Sequence, residues 1–77
     1  NTANLAYFYK SLSDPTRLRI INLLLHYEEL CVCDLTKALD QPQSLISRHL
    51  AYLKKGKLVT SRRDGNWQYY VLTLIQP

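Results

Sequence analysis

The apolar pattern of this chain changes its period at Gly56. Before that residue, apolar side chains recur every third or fourth position. After it they alternate, in the runs KLVTSRR and NWQYYVL around Asp64-Gly65. A period near 3.6 belongs to helices and a period of 2 to strands, so neither an all-helical nor an all-strand fold accommodates the whole chain. Asp-Gly between two β-rich runs predicts a hairpin, with Asp64 and Gly65 at the centre of a type I′ turn. In the second run Trp67, Tyr69 and Val71 fall on one face and Gln68, Tyr70 and Leu72 on the other. Arg62 and Arg63 stand at the hairpin tip.

Ahead of Gly56 the helical signals come in order. Leu5, Phe8, Tyr9 and Leu12 mark a short amphipathic helix over residues 2–12. Asp14 suits an N-cap and Pro15 the first helical position, opening a helix to about Tyr27. Leu18, Ile21, Leu24 and Leu25 form its stripe, widened by Ile20 and Leu23, which predicts a helix sandwiched between neighbours. A short extended segment, ELCV, follows. Asp34 then begins another helical pattern with Leu35, Ala38 and Leu39. Pro42 interrupts it, because the residue before a proline is pushed out of the helical region. The next helix, 42–55, places Ile46, Leu50 and Leu53 inward, and Gly56 serves as its stop. Two unequal helices joined by a tight turn make a helix-turn-helix. The predicted fold is α+β, mostly α: a winged helix-turn-helix with a two-stranded β-hairpin wing, forming one DNA-binding domain over residues 1–77.

Charge is placed unevenly. The chain of 77 residues carries a net +4. Residues 1–40 hold four bases against five acids. Residues 41–77 hold Arg48, Lys54, Lys55, Lys57, Arg62 and Arg63 against Asp64 alone. A basic half on a small domain is the footprint of a polyanion partner. An α-helix fits the DNA major groove, and its first turns reach base edges. On helix 42–55 the side away from Ile46 and Leu50 offers Gln43, Ser44, Ser47 and Arg48. Gln pairs bidentately with adenine and Arg with guanine. Lys54, Arg62 and Arg63 would hold phosphates or enter the minor groove, with Lys55 and Lys57 also in reach of the backbone. His49 falls between Ile46 and Leu53 and is read as a half-buried structural side chain. His26 favours the dipole at the end of its helix.

The two cysteines, Cys31 and Cys33, lie in ELCVCDL. They could be core filler, a disulfide, a redox couple or half of a metal site. A bridge across one residue would close a very small loop, so free thiols in a reducing cytosol are expected. In an extended segment, residues i and i+2 share a face, so both sulfurs could reach one soft ion while Leu30 and Val32 face the core. In a helix the two would stand about 200° apart.

Four runs together resemble the ArsR/SmtB metal-responsive repressors, over nearly the whole chain. LSDPTRLRIINLL (Leu12 to Leu24) resembles the family's second core helix, and ELCVCDL the thiol box of its arsenic-sensing branch. SRHLAYLKKGKLV (Ser47 to Val59) resembles its recognition helix, and RRDGNWQYYVL (Arg62 to Leu72) its wing. The resemblance implies a cytoplasmic homodimeric repressor that leaves double-stranded operator DNA when arsenite, antimonite or another thiophilic ion binds Cys31 and Cys33. Members with three clustered thiols read CVCDLC; here Thr36 takes the third place. The family's C-terminal dimerisation helix is expected to be missing from this sequence.

Other function classes fit less well. A thiol redox-sensing winged-helix repressor using the same cysteines is the alternative. A thiol oxidoreductase would want C-x-x-C at a helix start within a βαβ unit. No paired carboxylates, activated nucleophile or glycine-rich phosphate loop marks an enzyme, and no catalytic cofactor is expected. No apolar run approaches the ~18 residues of a membrane span.

Overall fold

The computed structural model describes residues 2–73. Residues 74–77, and with them the end of the expected domain, lie outside the described residues. Four helices precede a hairpin: α1 (Thr2–Ser11), α2 (Pro15–Tyr27), α3 (Val32–Leu39) and α4 (Gln43–Lys55), then β2 (Val59–Asp64) and β3 (Trp67–Leu72). A three-residue strand, β1 (Glu29–Cys31), lies between α2 and α3. It pairs antiparallel with β3, giving the sheet order β1-β3-β2. The predicted hairpin therefore has a third strand on its edge. The first three residues of ELCV become that strand because β3 leaves its outer row of backbone groups free to pair.

The core gathers Ile20 and Leu24 of α2, Leu35 of α3, and Ile46, Leu50 and Leu53 of α4 against Val59, Tyr70 and Leu72 of the hairpin. The α4 stripe is the one the sequence predicts. On β3 the buried residues are Tyr70 and Leu72, so the strand's predicted faces hold. Burial pushes the Tyr70 phenol up. Helix α2 departs from expectation. Ile20 and Leu24 are fully buried, but Leu18 and Leu25 are 46% and 61% exposed. Among the described residues its neighbours α4, β1 and β3 leave Leu18 and Leu25 uncovered, so part of its apolar surface stays outside. Helix α1 behaves similarly. Its packed side is Tyr7 and Ser11: Tyr7 stacks on Tyr52 of α4 at 4.7 Å, and Ser11 is fully buried. Leu5 and Tyr9, from the predicted stripe, are exposed.

Three local predictions are corrected. Helix α3 starts at Val32, two residues before Asp34, because Cys31 takes the N-cap. The hairpin turn is centred on Gly65 and Asn66, with Asp64 and Trp67 paired across its base. Only Gly65, at φ 62°, lies at positive φ among these residues, which is the pattern of a type II′ turn and not of type I′. Gly56 closes α4 with φ −76°, and the left-handed residue is Lys57 at φ 63°. Glycine is needed at 56 for a different reason: a Cβ there would stand 2.5 Å from Ser11 Oγ.

Asp14 caps α2 as predicted. Its carboxylate accepts from the N–H of Thr16 at 2.9 Å and of Arg17 at 3.1 Å. Arg17 in turn lies 4.2 Å over the Tyr52 ring and donates to the carbonyls of Ser11 and Lys10. His49 of α4 completes the cluster, with Nδ1 3.3 Å from Arg17 and Nε2 4.0 Å from Asp14. It is half-buried, as expected. The Arg17 N–H bond above all, together with the nearby charges of His49 and Arg17, holds the Asp14 carboxyl below its usual range. One acidic side chain thus ties the start of α2 to the middle of α4.

Candidate metal site and nucleic-acid interface

The strand-to-helix junction at Cys31 is built by reciprocal hydrogen bonds. The Asp34 N–H donates to Cys31 Sγ at 3.4 Å, and the Cys31 N–H donates to Asp34 Oδ2 at 3.1 Å. This is a capping box with a sulfur in place of the usual hydroxyl. Its effect is to turn the chain sharply after β1. The Cα atoms of Cys31 and Cys33 come within 5.4 Å, and the two side chains are joined as a disulfide. Free thiols are therefore not what this structure contains. The expectation rested on the smallness of the loop. The turn into α3 places the two Cα atoms inside the range of ordinary disulfides. Leu30 and Val32 pack against the core as expected, while Cys31 is itself buried and Cys33 only partly so. Convergence also holds: both sulfurs and an Asp34 carboxylate oxygen lie within 4.8 Å of one another.

Thr36 does not join this group. Its hydroxyl donates to the Cys33 carbonyl at 2.8 Å. The donor set is two sulfurs and one carboxylate, which suits a thiophilic cation once the sulfurs are reduced to thiolates. Asp34 was taken in the sequence only as a helix start. Its place three residues after Cys31 is the capping-box signal that would have found it.

The predicted DNA-contacting residues sit where helix 42–55 and the hairpin present them. Gln43, Ser44, Ser47 and Arg48 are all exposed, along the first turns of α4. They lie opposite Ile46, Leu50 and Leu53, each at 0% exposure. Lys54, at the far end of α4, donates to Ser61 Oγ of β2 at 2.9 Å. Arg63 is exposed on β2 opposite Gln68. Arg62 is different, because its guanidinium forms a bidentate pair with Glu29 of β1, at 2.8 and 2.7 Å. It also lies 4.8 Å over the Tyr69 ring and 4.0 Å from Asp64. The Arg62 hydrogen bonds draw the Glu29 carboxyl below its usual range, and Glu29 raises Arg62. The two wing arginines, equivalent in the sequence, are not equivalent in the fold. Sequence reasoning missed this pair, since it depends on β1 joining β3.

No helix among the described residues is long and apolar enough to cross a membrane.

Residues 14–61 match the family described as bacterial regulatory protein, arsR family. The chain is 52% identical over 65 residues to the arsenical resistance operon repressor of Escherichia coli K12, covering 84% of this chain and 56% of that protein. It is 41% identical over 76 residues to the cadmium resistance transcriptional regulatory protein CadC of Listeria innocua, covering 99% and 64%. The chain thus spans less than two thirds of the length of either relative. Among solved structures, the homodimeric winged helix-turn-helix DNA-binding domain (fragment 1–100) of Mb0332 from Mycobacterium bovis superimposes with a TM-score of 0.87. The two are 33% identical, over 94% of this chain and 66% of that one. A match that runs from the cap of α2 through the thiol junction and α4 into β2, on a winged-helix frame, makes this chain a member of the arsR family of bacterial regulatory proteins.

Proposed function

We propose that this chain is the DNA-binding domain of a cytoplasmic transcriptional repressor, acting as a homodimer and released from its operator when a thiophilic ion binds Cys31 and Cys33. Arsenite or antimonite is the leading inducer. The observation that carries this reading is the junction itself, where two sulfurs and a carboxylate converge on the first turn of α3. That helix leads directly into α4 through three residues. A thiolate pair supplies soft ligands that displace oxygen from such an ion.

The chain's own residues do the rest. Cys31 Sγ accepts the cap hydrogen bond from Asp34, so a change at the sulfur acts on the start of α3. Helix α4 would lie in the major groove, with Gln43, Ser44, Ser47 and Arg48 toward base edges and Lys54 and Arg63 toward phosphates. Arg62 would join them on leaving Glu29. The exposed Leu5 and Tyr9 of α1, with Leu18 and Leu25 of α2, offer apolar surface for a two-fold partner. Such a dimer would set two reader helices roughly 34 Å apart, one turn of DNA. The E. coli and Listeria relatives are named for arsenical and cadmium resistance, which supports an ion as the signal.

The joined state of the sulfurs favours a second reading. In it the pair is a redox switch, and oxidation rather than an ion moves α3. One experiment separates the two. Duplexes selected by the protein from random DNA are labelled and titrated with arsenite, cadmium, zinc and peroxide in parallel, reductant being present in the ion arms. Release by arsenite under reductant, lost in the Cys31→Ser/Cys33→Ser variant, supports the first. Release by peroxide alone supports the second.

A further inference from the structure

The thiol junction opens on a recess that reaches both DNA-facing elements. Strand β1 leaves the sheet after Cys31, which is paired with Tyr69. The β3 residues nearer the turn therefore have no partner on that side. The space so opened, about 200 Å³, is lined by Cys31, Val32 and Cys33 of the junction. Gln43, the first residue of α4, and Asn66 to Gln68 of the wing line it too. The amide nitrogen of Gln68 already donates to Ser61 Oγ at 3.2 Å. Gln43 and Asn66 are exposed, and among the described residues nothing engages their side-chain amides.

We propose that Gln43 and Asn66 form the outer half of the thiol site and bind the oxygen that a trigonal metalloid keeps when only two thiolates reach it. This rests on the reading of Cys31 and Cys33 as inducer ligands. The chemistry balances without electron transfer once the pair has been reduced by a dithiol or phosphine. Two As–O bonds of arsenous acid break and two As–S bonds form. Two waters leave, carrying the two thiol protons. One hydroxyl remains on arsenic, because Thr36 spends its own hydroxyl on the Cys33 carbonyl and is a poor ligand for a soft ion. A hydroxyl both donates and accepts, and a primary amide answers both needs. The recess would then favour oxygen-bearing metalloids over a bare divalent cation or an organo-substituted arsenic. It would also fasten the ligand to the first residue of the reader helix and to the wing turn at once.

Trp67 lines the same recess and is the only tryptophan in the chain, so its emission reports occupancy without DNA. The reduced protein is titrated with arsenite, with phenylarsine oxide and with cadmium. Phenylarsine oxide keeps no oxygen after two thiolates bind. Gln43→Leu and Asn66→Ala are each expected to weaken arsenite binding about fivefold, the scale of one neutral hydrogen bond. Phenylarsine oxide and cadmium should stay within about twofold of the parent. Both positions are exposed, and circular dichroism checks that each variant is folded. Unchanged arsenite affinity in both variants, or equal weakening for all three ligands, overturns the proposal while leaving the thiol reading standing. Parent-like arsenite binding by Cys31→Ser/Cys33→Ser overturns both.

Discussion

Helix α4 and the β1–α3 junction carry the two halves of the proposed function, and they are held by different forces. Helix α4 is anchored by Ile46, Leu50 and Leu53, all fully buried. Full burial of such side chains is worth about 1.5–3 kcal/mol each. The junction rests on two cap hydrogen bonds, one of them to sulfur, an exposed ion pair, the Cys31–Cys33 bridge and one fully buried side chain, Leu35. A hydrogen bond contributes a net of about 1 kcal/mol. The sensor is thus the softer of the two once its bridge is opened. In the proposed function a ligand there acts on the α3 cap against one buried anchor, while α4 is held by three.

The largest test of this contrast is Leu50→Ala. Deleting a fully buried leucine side chain should cost about 2–5 kcal/mol, read as a lowered denaturant midpoint. A loss no greater than that from cutting the junction cap would break the comparison. Next is Gly56→Ala, where the new methyl would meet Ser11 Oγ at 2.5 Å. Overpacking of this kind costs about 1–3 kcal/mol. Ser11 Cβ would stand at 3.4 Å, so adding Ser11→Ala should relieve much of the clash. A double-mutant cycle with no coupling between the two sites would show that α1 is not pressed against the end of α4.

The same contrast separates what was legible in the sequence from what was not. The α4 stripe, the β3 faces, the Asp14 cap and the half-buried His49 follow from rules that act over a few residues. The junction follows from them only in part. Cys31 became a helix cap because Asp34, three residues on, reaches back to it, a local signal disguised by sulfur standing where a hydroxyl is usual. Glu29 met Arg62 only because β1 joined the sheet, which depends on a pairing between residues far apart in the chain. Leu18 and Leu25 show the converse error. Their spacing promised burial, and the described chain supplies no neighbour on that side. The residues proposed to face DNA on α4 were legible as a polar face, and their exposure agrees with that. Which of them is engaged within the protein was not legible.

Two caps give the intermediate effects. Asp14→Ala should cost about 1 kcal/mol, the usual value of a helix N-cap, and Asp34→Ala, which removes the acceptor of the Cys31 N–H, about 1 kcal/mol for that hydrogen bond. Only the first should alter the link to α4 through His49. Asp14 also predicts a pH dependence. Its carboxyl is more acidic in the folded chain than in the unfolded one, chiefly through the Arg17 N–H. Its contribution is therefore complete above the unfolded carboxylate range and is lost as pH falls through the lowered folded value. Acid titration of the parent and of Asp14→Asn should diverge in that window and run parallel above it. Parallel curves throughout would remove Asp14 from the acid transition.

The smallest effect sets the two wing arginines against each other. Each phosphate contact made by a basic side chain contributes about −0.9 to the log–log slope of affinity against salt. Arg63 is exposed with no acidic partner among the described residues, whereas Arg62 begins in a bidentate pair with Glu29. Arg63→Ala should therefore flatten the slope by close to one such contact. Arg62 must first exchange its carboxylate for a phosphate, so Arg62→Ala should flatten it less. Glu29→Gln removes the competitor and should tighten binding on all duplexes alike, since a phosphate contact carries no sequence information. Equal slopes for the two arginine variants, with no gain from Glu29→Gln, would mean that the pair opens freely on DNA. The wing would then be as loosely tied to the thiol strand as a surface charge in water, and the softness assigned to the junction would have to extend through β1 into the hairpin.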